Sequence, residues 1–174
     1  TFTLVAGLVT VMATIWVTPF FLLGRPVSAS IPLTYQVASI ISLVVFARTK
    51  DFLVIRRVQT VMWGTFPFLL QWSLGGYVNS SAVSVWAMVT PVVALFFGGR
   101  PETWIGLFIA LTVVSAAIDG RLDDIDPVPT VARSAFWALN FVCVAIVYVV
   151  STRHFVGQRN RFRDQLRAEQ ATSE

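Results

Sequence analysis

Long apolar runs separated by short polar breaks set the pattern of this chain. A membrane-crossing helix needs about 20 apolar residues. Phe2 to Leu23 supplies the first run, and Gly24-Arg25-Pro26 closes it with a tight turn. Val27 to Ala47 supplies the second. RTKDFLVIRR, Arg48 to Arg57, is a charged connector in which Phe52 to Ile55 are already helical. The next 42 residues, Val58 to Gly99, carry no charge, which is too long for one span and suits two. The break belongs at GGYVNS, Gly75 to Ser80, where glycine and asparagine favour a turn. Gly98-Gly99-Arg100-Pro101 is the following turn. Pro101 and Glu102 suit the first turn of a new helix, because proline lacks an N–H that would be unpaired there and a carboxylate favours the positive helix end. DGRLDDIDPVPT is a polar loop, and a last apolar run ends near Ser151.

The pattern predicts an all-α polytopic membrane protein with six transmembrane helices. The spans are 2–23, 27–47, 53–74, 81–97, 102–118 and 131–151. Residues 1–151 form the transmembrane domain, and 152–174 form a cytoplasmic linker helix. Composition agrees: 56% of residues are hydrophobic and 13% are charged, against roughly 25% charged in ordinary soluble domains. The first apolar run is too long for a cleaved signal and lacks a basic leader, and the chain starts at Thr1, which reads as an internal boundary. A single cysteine, Cys143, rules out an intrachain disulfide.

Twelve of the thirteen basic residues are arginine, and their placement sets the orientation. Arg48, Lys50, Arg56, Arg57, Arg100 and the five tail arginines fall on one side, and Arg25, Arg121 and Arg133 fall on the other. Ten against three places both chain ends in the cytoplasm.

The spans hold no deep charge, although proton relays and ion paths usually show one. His154 lies beyond the last span with no second His or Cys nearby to complete a metal site. There is no Ser-His-Asp set and no glycine-rich phosphate loop. Milder polar residues, Gln36, Gln59, Gln71 and Asn140, are expected to seek partners across helices. Ala38-xxx-Ser42 and Ser134-xxx-Ala138 place small residues on one face, which serves either ordinary helix packing or a homodimer seam. Pro19, Pro67 and Pro91 are expected to bend or end their helices.

The outer loop gathers Asp119, Asp123, Asp124 and Asp126 within eight residues. Carboxylate oxygens suit hard divalent cations, but the spacing is not that of an EF-hand. Two readings stand: a solvated polar loop, or a cation or outside-ligand site on Asp123, Asp124 and Asp126.

The tail RHFVGQRNRFRDQLRAEQATSE carries Phe155, Phe162 and Leu166 at spacings of seven and four, a short coiled-coil seam interrupted by Arg159 and Glu169. Arg153 and Arg159 and their neighbours can also touch anionic lipid. The run has mixed charge and no glycine, proline or cap near Glu174, so it reads as a signalling helix leading into a cytoplasmic domain. The transmitting residues are Arg153, Phe155, Arg159, Phe162 and Leu166.

Six spans with both ends inside, followed by QRNRFRDQLRAEQATSE, resemble the membrane region of mycobacterial-type class III adenylyl cyclases. The resemblance implies a parent protein that makes cyclic AMP and diphosphate from ATP with Mg or Mn. In that family a six-helix membrane domain leads through a short helix into one cyclase domain, and two chains pair. No catalytic or cofactor-binding residue is assigned within these 174 residues. The partners implied are a second copy, the lipid bilayer of a bacterial plasma membrane, the C-terminal cyclase domain, and an outside ligand or divalent cation; no nucleic acid is among them. Three other readings compete: the membrane sensor of another two-chain signalling protein such as a histidine kinase, a small transporter, and a bare anchor.

Overall fold

The structure is a computed structural model that describes residues 2–97, 99–122 and 127–173. Its described residues form helices and turns, with no strand among them. Helix α1 spans Phe2–Leu22, α2 Pro26–Thr49, α3 Phe52–Ser73, α4 Gly76–Asn79, α5 Val89–Phe96, α6 Pro101–Ile118 and α7 Thr130–Ser173. Short 3-10 segments lie at Val83–Met88 and Asp119–Arg121. Four stretches are long and apolar enough to cross a membrane: Thr3–Leu22, Pro26–Thr49, Pro101–Arg121 and Thr130–Gln165.

The two apolar stretches outside that set depart from the six-span expectation for different reasons. Helix α3 has the length, at 22 residues, but it is diluted by Arg56, Arg57, Gln59 and Gln71. The fourth apolar run is not one α-helix. Gly75 and Gly76 take left-handed φ values of 89° and 88°, Ser81 and Ala82 follow at 56° and 54°, and the chain then winds as a 3-10 segment before α5 begins. Pro91 falls in the first turn of α5, where a missing N–H costs little. Pro19 and Pro67 lie inside α1 and α3 and end neither helix.

The connector between α2 and α3 is tighter than the charge pattern suggested. Arg48 stays in the last turn of α2, where a cation favours the negative helix end. Lys50 closes α2 in a left-handed conformation, its N–H donating to Phe46 O at 2.9 Å. Asp51 Oδ1 then caps α3, accepting from the N–H groups of Leu53 and Val54 at 2.9 and 3.3 Å.

In lipid, apolar side chains gain little by leaving their surroundings, so packing and hydrogen bonds must hold helices together. Here the hydrogen bonds converge on α3. Gln59 Nε2 donates to Ser39 Oγ at 2.8 Å and Ser42 Oγ at 3.0 Å, and its Oε1 accepts from the Tyr35 hydroxyl at 3.3 Å. Trp63 Nε1 donates to the same hydroxyl at 2.9 Å. Ser39 pairs onward with Thr10 of α1. Gln36 ties α2 to α1 through Thr10 O and Thr14 Oγ1. Ser42 is thus consumed inside the bundle, while Ser134 and Ala138 on α7 face outward.

Helix α6 packs on α3 and α5 at the edge of this bundle. Close approach to α3 needs Gly64, where a Cβ would sit 3.0 Å from the Trp104 ring. Trp72 Nε1 donates to Ser115 Oγ at 2.8 Å, and Tyr77 Oη donates to Thr112 O at 2.7 Å. The far end is pinned by Asp119, whose Oδ1 accepts from Tyr77 N at 3.0 Å. A Cβ on Gly76 would lie 2.1 Å from that oxygen, so only glycine fits there.

Candidate functional site: helix α7 and the basic end of the bundle

Helix α7 is continuous for 44 residues. Its buried positions Phe136, Asn140, Cys143, Val144, Val147 and Ser151 make one stripe at helical spacing. Val156 and the described side chains after it are exposed, so the helix leaves the bundle just after Phe155. At 1.5 Å per residue the helix from residue 156 to 173 is about 27 Å long.

Three residues fix α7, each to the broken fourth segment. Asn140 Nδ2 donates to Ser81 O at 2.9 Å, and Asn140 Oδ1 accepts from Trp86 Nε1 at 3.1 Å. The left-handed turn at Ser81 leaves that carbonyl outside any helix, so a side-chain amide can satisfy it. One further turn pair along, Tyr148 Oη donates to Met88 O at 2.7 Å, at the junction where 3-10 winding gives way to α5. Last, Phe155 stacks on Phe96 with ring centroids 4.3 Å apart and 15° between planes. Positions 140, 148 and 155 meet 81, 88 and 96 in rising order, so the broken segment and α7 run in the same direction.

The end where α7 emerges is also where the basic residues gather. Arg56 Nη1 donates to Phe97 O at 2.7 Å, placing a guanidinium on the negative end of α5. Phe52 bridges Phe46 and Phe97, with centroid distances of 6.5 and 6.0 Å. Together with Phe96 and Phe155, these rings join α2, α3, α5 and α7 around the point of exit. A displacement of α7 along its axis must break the Phe96–Phe155 stack and the Tyr148 and Asn140 hydrogen bonds together.

Of the sequence-derived transmitting residues, Phe155 is in the contact set, while Arg153 and Arg159 are exposed on α7. Phe162 and Leu166 lie on the free half of α7, and their side chains fall outside the described residues. Asp123, Asp124 and Asp126 also lie outside the described residues. Asp119, the fourth loop carboxylate, serves the backbone of Tyr77. Among the described residues no group of three or more His, Cys, Asp or Glu side chains could hold a metal ion. The Mg or Mn that the resemblance implies would belong to a cyclase domain.

The sequence showed Asn140 as a polar residue and Arg56 as a connector charge, but not the contact of Arg56 with Phe97 O nor the parts of Phe96 and Tyr148. A usable signal was present: Asn140, Tyr148 and Phe155 recur at spacings of eight and seven, which is one helical face. Comparison with protein-family models, with curated proteins and with solved structures finds no match to this chain.

Proposed function

We propose that this chain is the membrane-anchoring, dimerising and signal-transmitting domain of an adenylyl cyclase whose catalytic domain lies outside these 174 residues. The observation that carries the reading is α7. It is one unbroken helix, locked to the bundle through Asn140, Tyr148 and Phe155, with every described side chain from Val156 onward exposed. A rigid helix of that kind couples the packing of the bundle to the position of whatever it carries. A class III catalytic site forms between two domains, so its rate depends on their relative placement. A signal would act by favouring one arrangement of the paired helices over another, and its effect is limited by its differential affinity for the two.

In this reading two chains pair in a bacterial plasma membrane with both ends cytoplasmic. Ser134 and Ala138, outward-facing on α7, offer a close-approach surface for the second copy. The test is cyclic AMP formation from ATP by the natural full-length protein, purified in detergent with Mn. Cyclic AMP formation supports the reading. A folded dimer that makes none overturns it; if that dimer instead phosphorylates a histidine, the same helix serves a kinase.

A further inference from the structure

The rings around the α7 exit also fix where the cations stand. Phe52 touches Phe46 and Phe97, and Phe96 stacks on Phe155, so the end of α2, the start of α3, the end of α5 and the exit of α7 share one level. Arg48 and Lys50 closely follow Phe46, Arg57 follows Phe52 by five residues, Arg100 follows Phe97 by three, and Arg153 precedes Phe155 by two. All of these cations are exposed. Among the described residues none of them forms an ion pair. The carboxylates at this level are Asp51, engaged in the cap of α3, and Glu102, in the first turn of α6. The opposite end differs: Arg121 is exposed there, while Arg25 and Arg133 are half-buried.

The apolar outer surface of the bundle begins at the same level. Val44 and Val45 on α2, Leu53 and Val54 on α3, and Val149 and Val150 on α7 are all exposed. Each lies three or four residues from one of the cations, which is about one helical turn. A soluble acidic partner would match the charge and leave these aliphatic side chains in water. A layer of anionic headgroups above alkyl chains matches both at once. Arg57 lies deepest along its helix, and its long side chain can reach back to that layer while its stem stays among alkyl chains.

We propose that this basic end is a binding surface for anionic phospholipid headgroups, which gather around the exit of α7 in preference to zwitterionic ones. The attraction is collective and needs no single pocket: each cation beside a headgroup layer contributes about a fivefold preference. The outer tail contributes little. Arg161, Arg163 and Arg167 stand about 9 to 18 Å along the helix from Phe155. Charges that far from the layer are largely screened where the Debye length is about 10 Å, as at about 0.1 M salt. The inference rests on the helices crossing a membrane and not on the cyclase reading.

The test places the full-length protein in phosphatidylcholine vesicles with a trace of spin-labelled phosphatidylglycerol or spin-labelled phosphatidylcholine. Electron spin resonance then reports the fraction of each probe immobilised against the protein. The anionic probe should associate about threefold more strongly, between the fivefold that one cation supplies and the parity expected of lipid sites at the other end. Raising NaCl from about 0.1 M to about 1 M shortens the Debye length to about 3 Å and should bring the ratio close to parity. Replacing Arg48, Lys50, Arg57 and Arg100 together with Gln should do the same at low salt. Replacing Arg161, Arg163 and Arg167 with Gln, or Arg121 at the opposite end, should leave the ratio unchanged. If the fourfold variant does not insert, Arg48→Gln with Lys50→Gln should still lower the excess by about half. Parity in the unaltered protein at low salt, a preference that salt does not weaken, a preference that survives loss of the collar cations, or one lost with the tail arginines would each overturn the proposal.

Discussion

Helices α3 and α6 lie against each other and look interchangeable in length, at 22 and 18 residues. By apolarity α6 is the obvious membrane helix, and α3 falls outside the set that qualifies. Burial reverses the order. Nine residues of α3 are buried and one of α6, Ser115. Where lipid is the surrounding medium, a helix facing lipid must be apolar almost all round. A helix surrounded by other helices can carry Gln59, Thr60 and Gln71, because protein supplies their partners. Mean apolarity therefore reports contact with lipid, and the less apolar helix is the structural centre.

The same substitution in the two helices breaks the comparison most sharply. Ile55 of α3 is 0% exposed, and Ile109 of α6 is 56% exposed. Ile55→Ala leaves a cavity among packed side chains and should cost about 3 kcal/mol, within the range for deleting a buried isoleucine side chain. Reversible unfolding in mixed micelles with increasing SDS would measure it. A cost near zero would mean that α3 is not packed as its burial implies.

Two glutamines on α3 sharpen the point, since both are fully buried and only one is bonded. Gln59 makes hydrogen bonds to Ser39, Ser42 and Tyr35. Interhelical bonds in membranes average about 0.6 kcal/mol, with a maximum near 1.7. Gln59→Leu should therefore destabilise by about 2 kcal/mol in the same unfolding assay. Neither amide atom of Gln71 has a hydrogen-bond partner among the described residues. Removing an unpaired buried amide relieves its desolvation, so Gln71→Leu should stabilise by about 1 kcal/mol. A loss of stability would instead show that the Gln71 amide has a partner inside the bundle, such as a buried water.

Apolar runs made much of this fold legible. The break between the third and fourth runs was expected at Gly75 to Ser80, and the chain reverses there through Gly75, Gly76, Ser81 and Ala82. Pro101 and Glu102 open α6 as their chemistry predicts. The winding of Val83–Met88 was not legible, because apolar content constrains what surrounds a backbone and not its hydrogen-bond register. The centrality of α3 was hidden for the reason given above: its polar residues read as a blemish on a span when they are the means of holding it. In the functional region, continuity of α7 could be anticipated because the apolar run passes into a helix-forming tail without a proline. Its anchors could not, since Asn140 and Tyr148 bond backbone carbonyls exposed by a distortion in another segment.

The weakest effect completes the test. Ile109→Ala on the outer face of α6 removes three carbons from a side chain that meets little protein. Lipid chains are fluid and close over the vacated space, so no cavity persists. Surface substitutions usually change stability by no more than about 0.5 kcal/mol, and the unfolding midpoint should stay within that bound. The comparison then rests on a ratio. If Ile55→Ala costs about six times as much as Ile109→Ala or more, burial in protein determines how strongly each helix depends on its side chains. A large cost at Ile109 would place a partner against α6. Ile109 is exposed among the described residues, so a second copy would be the candidate partner, and the seam proposed on α7 would lie on α6 instead.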